Sequence, residues 1–195
     1  MTSDTNRTKD RLLAAATEEF AAHGIAGARV DRIAERAGVN KERIYGYFGN
    51  KQKLFDAVVV GALDELAEAV PLAPGDDPAE YVGRVYDFHR AHPVLVRLFL
   101  WEGLHHREGV LPAEDRRRGR YEEKIAALAE TFGSEASPQV AACLMSMIGL
   151  AAWPSAVPQL ARLIVGTGPG GEAPDLRAHV VAFARQALAA GPPPG

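Results

Sequence analysis

Cysteine and long apolar runs are the scarcest features of this 195-residue chain. The lone cysteine, Cys143, excludes a disulfide within the chain, and its apolar surroundings predict a small buried residue. No uninterrupted apolar stretch reaches the roughly 20 residues that span a membrane. The first residues, MTSDTNRTKDR, lack the apolar segment of a signal peptide. These absences predict a cytoplasmic protein with no membrane partner.

Signatures of enzyme chemistry are also lacking. The chain has no glycine-rich phosphate-binding motif and no nucleophile with a base nearby in the sequence. One E-x-x-H pair, Glu102 and His105, matches the spacing of di-iron helix bundles, but such sites need a second copy. We therefore predict no catalytic residue, no metal and no cofactor. An all-helical enzyme or metal-bundle protein is the less favoured alternative.

Proline is absent from the first 70 residues, and no alternation of apolar and polar residues persists long enough to predict a strand. Apolar residues recur instead at helical spacing, which predicts an all-α fold. The segments PLAPGDDP (71–78) and GTGPGGEAP (166–174) interrupt the helical pattern, and the second is expected to be a flexible loop.

Charge is distributed unevenly along the chain, although its net value is only −3. Residues 1–55 hold ten Lys and Arg against seven Asp and Glu, whereas residues 56–195 hold twelve against eighteen. The basic excess therefore lies in the N-terminal part, where it would favour an anionic partner.

The stretch VDRIAERAGVNKERIYGYFGNKQKL, residues 30–54, coincides with that basic part. Ile33, Ala34 and Ala37 lie on one side of a short predicted helix, and Gly38 follows where a left-handed backbone angle usually ends a helix. Asn40 is a good N-cap for a second helix that carries Ile44 and Phe48 inward. This is the layout of a helix-turn-helix that reads DNA, with a plain helical hairpin as the alternative.

These residues resemble the TetR family of bacterial transcriptional regulators. The matching strings are IAERAGVN at 33–40, IYGYF at 44–48 and NKQKLF at 50–55, so that the resemblance covers roughly the first 60 residues. The sequence departs from the commonest pattern at Asn40, Glu42 and Gly46. The resemblance implies a helix-turn-helix domain at residues 7–55 and a helical ligand-binding and dimerisation domain at 56–190. The segment GPPPG at 191–195 is expected to be a disordered tail.

The exposed residues of the motif are candidates for DNA contacts. We expect Lys41, Glu42, Arg43 and Tyr45 to face the major groove, with Arg43 as the best base reader. By resemblance, Tyr47 and Lys51 bind phosphate, and Arg29 or Arg32 adds backbone contacts. The predicted DNA-binding residues are Arg29, Arg32, Asn40, Lys41, Glu42, Arg43, Tyr45, Tyr47 and Lys51.

The rest of the chain is expected to pair subunits and to bind an effector. The last two helices carry more apolar residues than two peripheral helices of a monomer need, which predicts a homodimer. The resemblance implies a pocket for an unknown small molecule. Its candidate residues are Tyr86, His89, Phe99, Trp101, His105, Met145 and Trp153.

The function expected from these features is that of a ligand-responsive dimeric repressor on a palindromic double-stranded operator. A DNA-binding regulator or activator that needs no ligand is the alternative.

Overall fold

The computed structural model describes residues 2–106, 109–166, 174–189 and 191. Within these ranges the backbone forms ten α-helices and no β-strand, which confirms the predicted all-α class. The helices are α1 (Thr2–Gly27), α2 (Val30–Ala37), α3 (Lys41–Phe48), α4 (Lys51–Ala69), α5 (Pro78–Ala91), α6 (Pro93–His105), α7 (Glu114–Thr131), α8 (Pro138–Ala156), α9 (Pro158–Val165) and α10 (Leu176–Leu188). Most of the predicted loop at 166–174, and the predicted tail at 191–195 apart from Gly191, lie outside the described residues.

Contacts along the chain define two units. The first comprises Met1–Glu65 and Val94–Glu114, and the second comprises Leu66–Pro93 and Asp115–Gly195. Helix α4 contributes residues to both units, whereas nearly all of α6 belongs to the first. The predicted domain boundary between residues 55 and 56 falls inside α4 and stays a prediction.

The first unit has a core of aromatic and aliphatic side chains from α1 to α4 and α6. Phe20 of α1 and Phe55 of α4 meet edge to face, with ring centroids 5.2 Å apart. Ile33, Ile44 and Leu98 are almost completely buried around them. Burial of side chains of this size contributes about 1.5–3 kcal/mol each. This packing fixes the position of α2 and α3 on α1.

A break in α1 occurs at Gly24, whose backbone is left-handed (φ 63°) and leaves the helical geometry. A Cβ atom at this position would lie 2.9 Å from the indole ring of Trp101, so both the backbone angle and the packing require glycine. Trp101 Nε1 donates a hydrogen bond to the Ala21 carbonyl over 3.3 Å.

The second unit is organised around α5, which packs against α8 and α10. The approach to α10 is closest at Gly83, where an added Cβ would lie 2.8 Å from Val181 Cγ2. Asp77 caps the start of α5 by accepting a hydrogen bond from the Ala79 N–H over 2.8 Å. Val82 of α5 is fully buried.

Helices α8 and α9 follow each other directly in the chain and are separated by a short interruption. The interruption lies at Val157 (φ −129°, ψ 63°), directly before Pro158, whose ring disfavours a helical conformation of the preceding residue. Pro154, in contrast, lies inside α8. Among the described residues, α8 is the one helix that is long and apolar enough to cross a membrane, by length and composition only. In the structure, 22% of its apolar window is buried.

Candidate nucleic-acid interface

The turn between α2 and α3 has the geometry that the sequence predicted. Gly38 adopts a left-handed conformation (φ 66°, ψ 41°) and ends α2. Its N–H donates to the Glu35 carbonyl over 3.1 Å, and the N–H of Val39 donates to the Ala34 carbonyl over 3.0 Å. These bonds satisfy the free carbonyls at the helix end, and a side chain at Gly38 would strain the backbone. The chain therefore leaves α2 in one defined direction.

Asn40 starts the next helix. Its Oδ1 accepts a hydrogen bond from the backbone N–H of Arg43 over 3.1 Å, which is the N-cap predicted from the sequence. Ile44 and Phe48 are buried against the unit's core, which fixes the rotation of α3 about its axis. The opposite face of α3 is consequently presented to solvent.

That exposed face carries the residues predicted to read bases. Lys41, Glu42, Arg43 and Tyr45 are all exposed, whereas Tyr47 is half-buried beside Phe48. Two cations, one anion and a phenol thus lie within five consecutive residues of α3, and an α-helix fits the width of the major groove. Arg43 offers the paired donors that match the edge of guanine. Contacts of these side chains with DNA stay a prediction.

An ion pair links the two helices of the motif. Lys41 Nζ lies 2.7 Å from Asp31 Oδ1, and Arg29 Nη2 lies 4.0 Å from Asp31 Oδ2. The hydrogen bond from Lys41, and then its charge, lower the pKa of Asp31, while the same bond raises the pKa of Lys41. Both groups are exposed, so the pair positions Lys41 more than it stabilises the fold.

Gly46 lowers the stability of α3, and an alanine at this position is expected to raise it. A Cβ added there meets nothing within 4 Å, and its backbone is helical. The Gly46→Ala variant is therefore expected to raise the free energy of unfolding by about 0.5–1 kcal/mol, because glycine loses more backbone entropy in a helix. Urea denaturation followed by circular dichroism measures this. An unchanged or lower stability would contradict the open surroundings of Gly46.

A buried carboxylate that the sequence analysis missed holds the start of α2. Glu19 of α1 is 2% exposed, and its Oε1 accepts hydrogen bonds from Arg32 Nε and from the backbone N–H of Arg29, each over 2.8 Å. Arg32 also donates to the Gly27 carbonyl over 3.2 Å. Burial raises the pKa of Glu19, but the hydrogen bonds from Arg32 and Arg29 outweigh it and leave the pKa below its ordinary value. Arg32, predicted as a DNA contact, is thus hydrogen-bonded to Glu19 while its side chain stays 41% exposed, and Arg29 keeps an exposed guanidinium, so that DNA contact by either residue stays a prediction.

The start of α4 is capped by an asparagine side chain, as the start of α3 is. Asn50 Oδ1 accepts a hydrogen bond from the Lys53 N–H over 2.8 Å. Lys51 is half-buried, and its Nζ donates to the Ala28 carbonyl over 3.2 Å. The amine is therefore held beside the segment that leads into α2. Phosphate binding by Lys51 stays a prediction.

A shallow cleft of about 280 Å³ beside the turn contains a second residue that the sequence analysis missed. Arg11 of α1 lies there and donates to the Gly38 carbonyl over 3.5 Å. The cleft is lined by Thr8, Arg11, Gly38, Val39, Asn40 and Arg43. No sequence signal distinguished Arg11 from other charged residues on the exposed side of α1, because only the fold brings it to the turn.

The seven residues predicted to bind a ligand are divided between the two units. Phe99, Trp101 and His105 belong to the first unit, where Trp101 packs over Gly24 and His105 Nε2 lies 2.7 Å from Gln52 Oε1. Among the residues that the structure describes, no group of three His, Cys, Asp or Glu side chains is placed to hold a metal.

The other four belong to the second unit. Tyr86 and His89 are buried, whereas Met145 and Trp153 are exposed. Burial, and then the charge of His92, lower the pKa of His89 to about 4, so that His89 is neutral at pH 7. Ligand binding by any of the seven stays a prediction.

Comparison with known proteins gives matches over both units. Residues 12–58 match the model of the bacterial regulatory proteins of the tetR family, and residues 77–186 match that of the tetracyclin repressor-like C-terminal domain. The chain is 42% identical over 173 residues to the HTH-type transcriptional repressor SCO4008 of Streptomyces coelicolor, covering 86% of this chain and 88% of that protein. It is 36% identical over 106 residues to the repressor NicS of Pseudomonas putida, about half of each chain. The crystal structure of SCO4942 from Streptomyces coelicolor superposes with a TM-score of 0.75 at 32% identity, covering 92% and 97% of the two chains.

A glycine-closed turn, a capped α3 and an exposed, partly basic α3 face define a helix-turn-helix DNA-binding regulator. More particularly, the chain belongs to the TetR family of bacterial transcriptional regulators. Regulators of this family bind DNA operators and dimerise. The family inferred from residues 33–55 is therefore confirmed, and the second family match extends it over most of the chain.

Proposed function

We propose that this protein is a ligand-responsive, dimeric repressor in the cytoplasm, without enzymatic activity. The observation that carries the proposal is the fixed α3, whose exposed first turns present Lys41, Arg43 and Tyr45. Similarity to the repressor SCO4008 over most of both chains supports repression. Two copies of α3 in a symmetric dimer would reach major grooves about 34–36 Å apart, which requires a palindromic operator.

Within this proposal the motif's residues take three roles. Lys41, Glu42, Arg43 and Tyr45 read base edges, and Arg29, Tyr47, Lys51 and Arg11 contact phosphates. Arg32 positions α2 through Glu19 and does not contact DNA, because its guanidinium already donates hydrogen bonds to the buried carboxylate of Glu19. Asn40 acts through the N-cap of α3.

Lys51 provides a direct test of the phosphate contacts. The Lys51→Ala variant is expected to weaken binding to operator and scrambled DNA alike and to lower the salt slope by about one unit, because one fewer counterion is released. Fluorescence anisotropy at several salt concentrations measures both quantities. Arg97→Ala, which removes an exposed cation of α6, is the control and should leave the slope unchanged. An unchanged slope for Lys51→Ala would refute the contact.

The proposed dimer interface is the apolar surface of α8 and α10. A groove of about 300 Å³ lies between these helices and is lined mainly by apolar atoms. Phe183 is exposed beside it, and Met145 and Trp153 expose further apolar surface on α8. Val180 and Val181 of α10 are buried within the protomer and do not contribute to this surface. An exposed apolar surface on a helix as long as α8 needs cover, and a second copy of the same helices supplies it.

The Phe183→Asp variant is expected to be monomeric, because a buried carboxylate without a partner costs several kcal/mol in an interface. Light scattering coupled to size exclusion should show the wild type at twice the mass of the variant. Leu104→Asp on α6 is a matched control, since Leu104 is 57% exposed and Phe183 is 55% exposed. A dimeric Phe183→Asp variant would place the interface elsewhere.

A further inference from the structure

Lys124 of α7 lies in an unusual environment within the second unit. Its Nζ donates to the Val70 carbonyl over 2.8 Å and to the Tyr81 hydroxyl over 3.3 Å. The amine also lies 4.8 Å from the centroid of the Tyr81 ring. Both hydrogen-bond acceptors are neutral, so neither compensates the charge of an ammonium group as a carboxylate would.

The surroundings shift the protonation of both side chains. Burial, and then the charge of Arg84, lower the pKa of Lys124 to about 8, so that about half of the amine is neutral at pH 8. A lysine with the ordinary pKa of 10.5 is only about 0.3% neutral at that pH. Burial, and then the proximity of Tyr121, raise the pKa of Tyr81 to about 12, so its hydroxyl stays protonated.

Lys124 lines a cleft of about 190 Å³, here named the Lys124 cleft. It lies between the end of α4, the segment that follows α4, and α7. Its lining comprises Ala67, Glu68, Pro71, Leu72, Arg120, Glu123 and Lys124. The volume is below the roughly 300–1,000 Å³ of sites for drug-sized ligands, so that it suits a molecule of a few heavy atoms.

The lining of the Lys124 cleft favours a neutral ligand. Glu68 and Glu123 border it together with Arg120, so that the charges are mixed and no anion-binding cluster forms. Ala67, Pro71 and Leu72 add apolar surface. A lysine that is partly neutral and desolvated is a nucleophile toward carbonyl carbon, the chemistry by which protein lysines form Schiff bases.

We propose that the Lys124 cleft binds a small aldehyde, which Lys124 holds as an imine. The lone pair of the neutral amine attacks the carbonyl carbon, and the C=O π electrons move to oxygen. Proton transfer from nitrogen to that oxygen gives a carbinolamine. The Tyr81 hydroxyl, within hydrogen-bond distance of Nζ, donates a proton to the departing hydroxyl and recovers one from nitrogen. Amine and aldehyde thereby become imine and water, with no oxidant or reductant consumed.

Formation of the imine does not depend on the DNA-binding role. We expect in addition that the adduct releases operator DNA, a consequence that rests on the proposed function. The two are separable because the adduct is detected by mass and DNA release by anisotropy.

The test is reductive trapping with propanal and cyanoborohydride at pH 8, with peptide mapping by mass spectrometry. The chain has only five lysines, namely Lys9, Lys41, Lys51, Lys53 and Lys124, so that each site can be quantified. In the wild-type protein we expect Lys124 to be labelled at least about tenfold faster than the exposed Lys9 and Lys53. Labelling of Lys124 at or below their rate would overturn the proposal, and this readout requires no variant to fold.

Two variants sharpen the result. Tyr81→Phe should slow labelling at Lys124 severalfold while leaving Lys9 and Lys53 unchanged, which a general loosening of the fold would not do. Lys124→Arg should abolish the adduct in the second unit but keep the charge. If Lys124 is labelled and operator DNA stays bound, the aldehyde site is supported, and only its link to DNA release is contradicted.

Discussion

Replacing Glu19 with glutamine is expected to lower the free energy of unfolding by about 2–3 kcal/mol, the range for hydrogen bonds to buried charged groups. The loss stays below the 3–5 kcal/mol of a fully buried ion pair, because Arg32 is 41% exposed and water can replace part of the interaction. At about 2–4 °C per kcal/mol for a chain of this length, Tm should fall by roughly 5–10 °C. DNA affinity should fall as well, since a neutral amide holds the backbone N–H of Arg29 and the guanidinium of Arg32 at the start of α2 less strongly than a carboxylate does.

The neighbouring exposed carboxylate supplies the control. Glu18→Gln removes the same charge from the same helix and is expected to change stability by no more than about 0.5 kcal/mol. Differential scanning calorimetry of both variants makes the comparison. Equal melting temperatures of the two variants would mean that the hydrogen bonds at Glu19 make no net contribution to the stability of the fold.

The pH dependence of stability follows from the same carboxylate. Because the pKa of Glu19 is lowered in the folded state from its ordinary value of 4.5, its contribution is present above pH 4.5 and is lost as the pH falls through the lower folded value. The wild type should therefore lose more stability below pH 4.5 than Glu19→Gln does. Parallel curves for the two proteins would contradict the lowered pKa.

The Arg43→Ala variant is expected to lose sequence discrimination. A bidentate contact between arginine and guanine contributes about 1–3 kcal/mol, so operator affinity should fall about 5- to 150-fold for each half-site. The fold should be unaffected, because the Arg43 side chain is exposed and Asn40 caps α3 through the backbone N–H of residue 43. Binding to scrambled DNA should fall only as far as the loss of one positive charge requires.

Arg36→Ala separates base reading from simple charge. Arg36 is an exposed cation of α2 and carries the same charge outside α3. Anisotropy titrations should show that Arg36→Ala changes operator and scrambled DNA by the same small factor, whereas Arg43→Ala affects the operator far more. If Arg43→Ala weakened both DNAs equally, Arg43 would be a phosphate contact and another residue of α3 would read the bases.

Features of the motif that depend on neighbouring residues could be predicted from the sequence. Gly38 and Asn40 have their partners within four residues, so backbone sterics and capping rules determine them locally. Glu19 could not be identified in this way, because its partners lie 10 and 13 residues away and only packing of α1 on α2 buries it. The same limit applies to Arg32, whose hydrogen bonds to Glu19 could not be inferred from the sequence.

The second unit was less predictable for a related reason. Aromatic residues at helical spacing indicate buried faces but do not show which helices meet. Trp101 shows the same limit in the first unit, since its packing over Gly24 could not be inferred from its spacing, and its predicted role in ligand binding stays a prediction. The environment of Lys124 likewise depends on Val70 and Tyr81, 54 and 43 residues away.

The most direct test of the central claim is fluorescence anisotropy of the purified protein with DNA from upstream of its own gene and with scrambled DNA, at several salt concentrations. We expect the protein to bind the upstream DNA selectively and as a dimer, with the logarithm of the binding constant falling linearly against the logarithm of the salt concentration. Absence of binding to either DNA, even at low salt, would contradict the assignment of α3 as a DNA-reading helix.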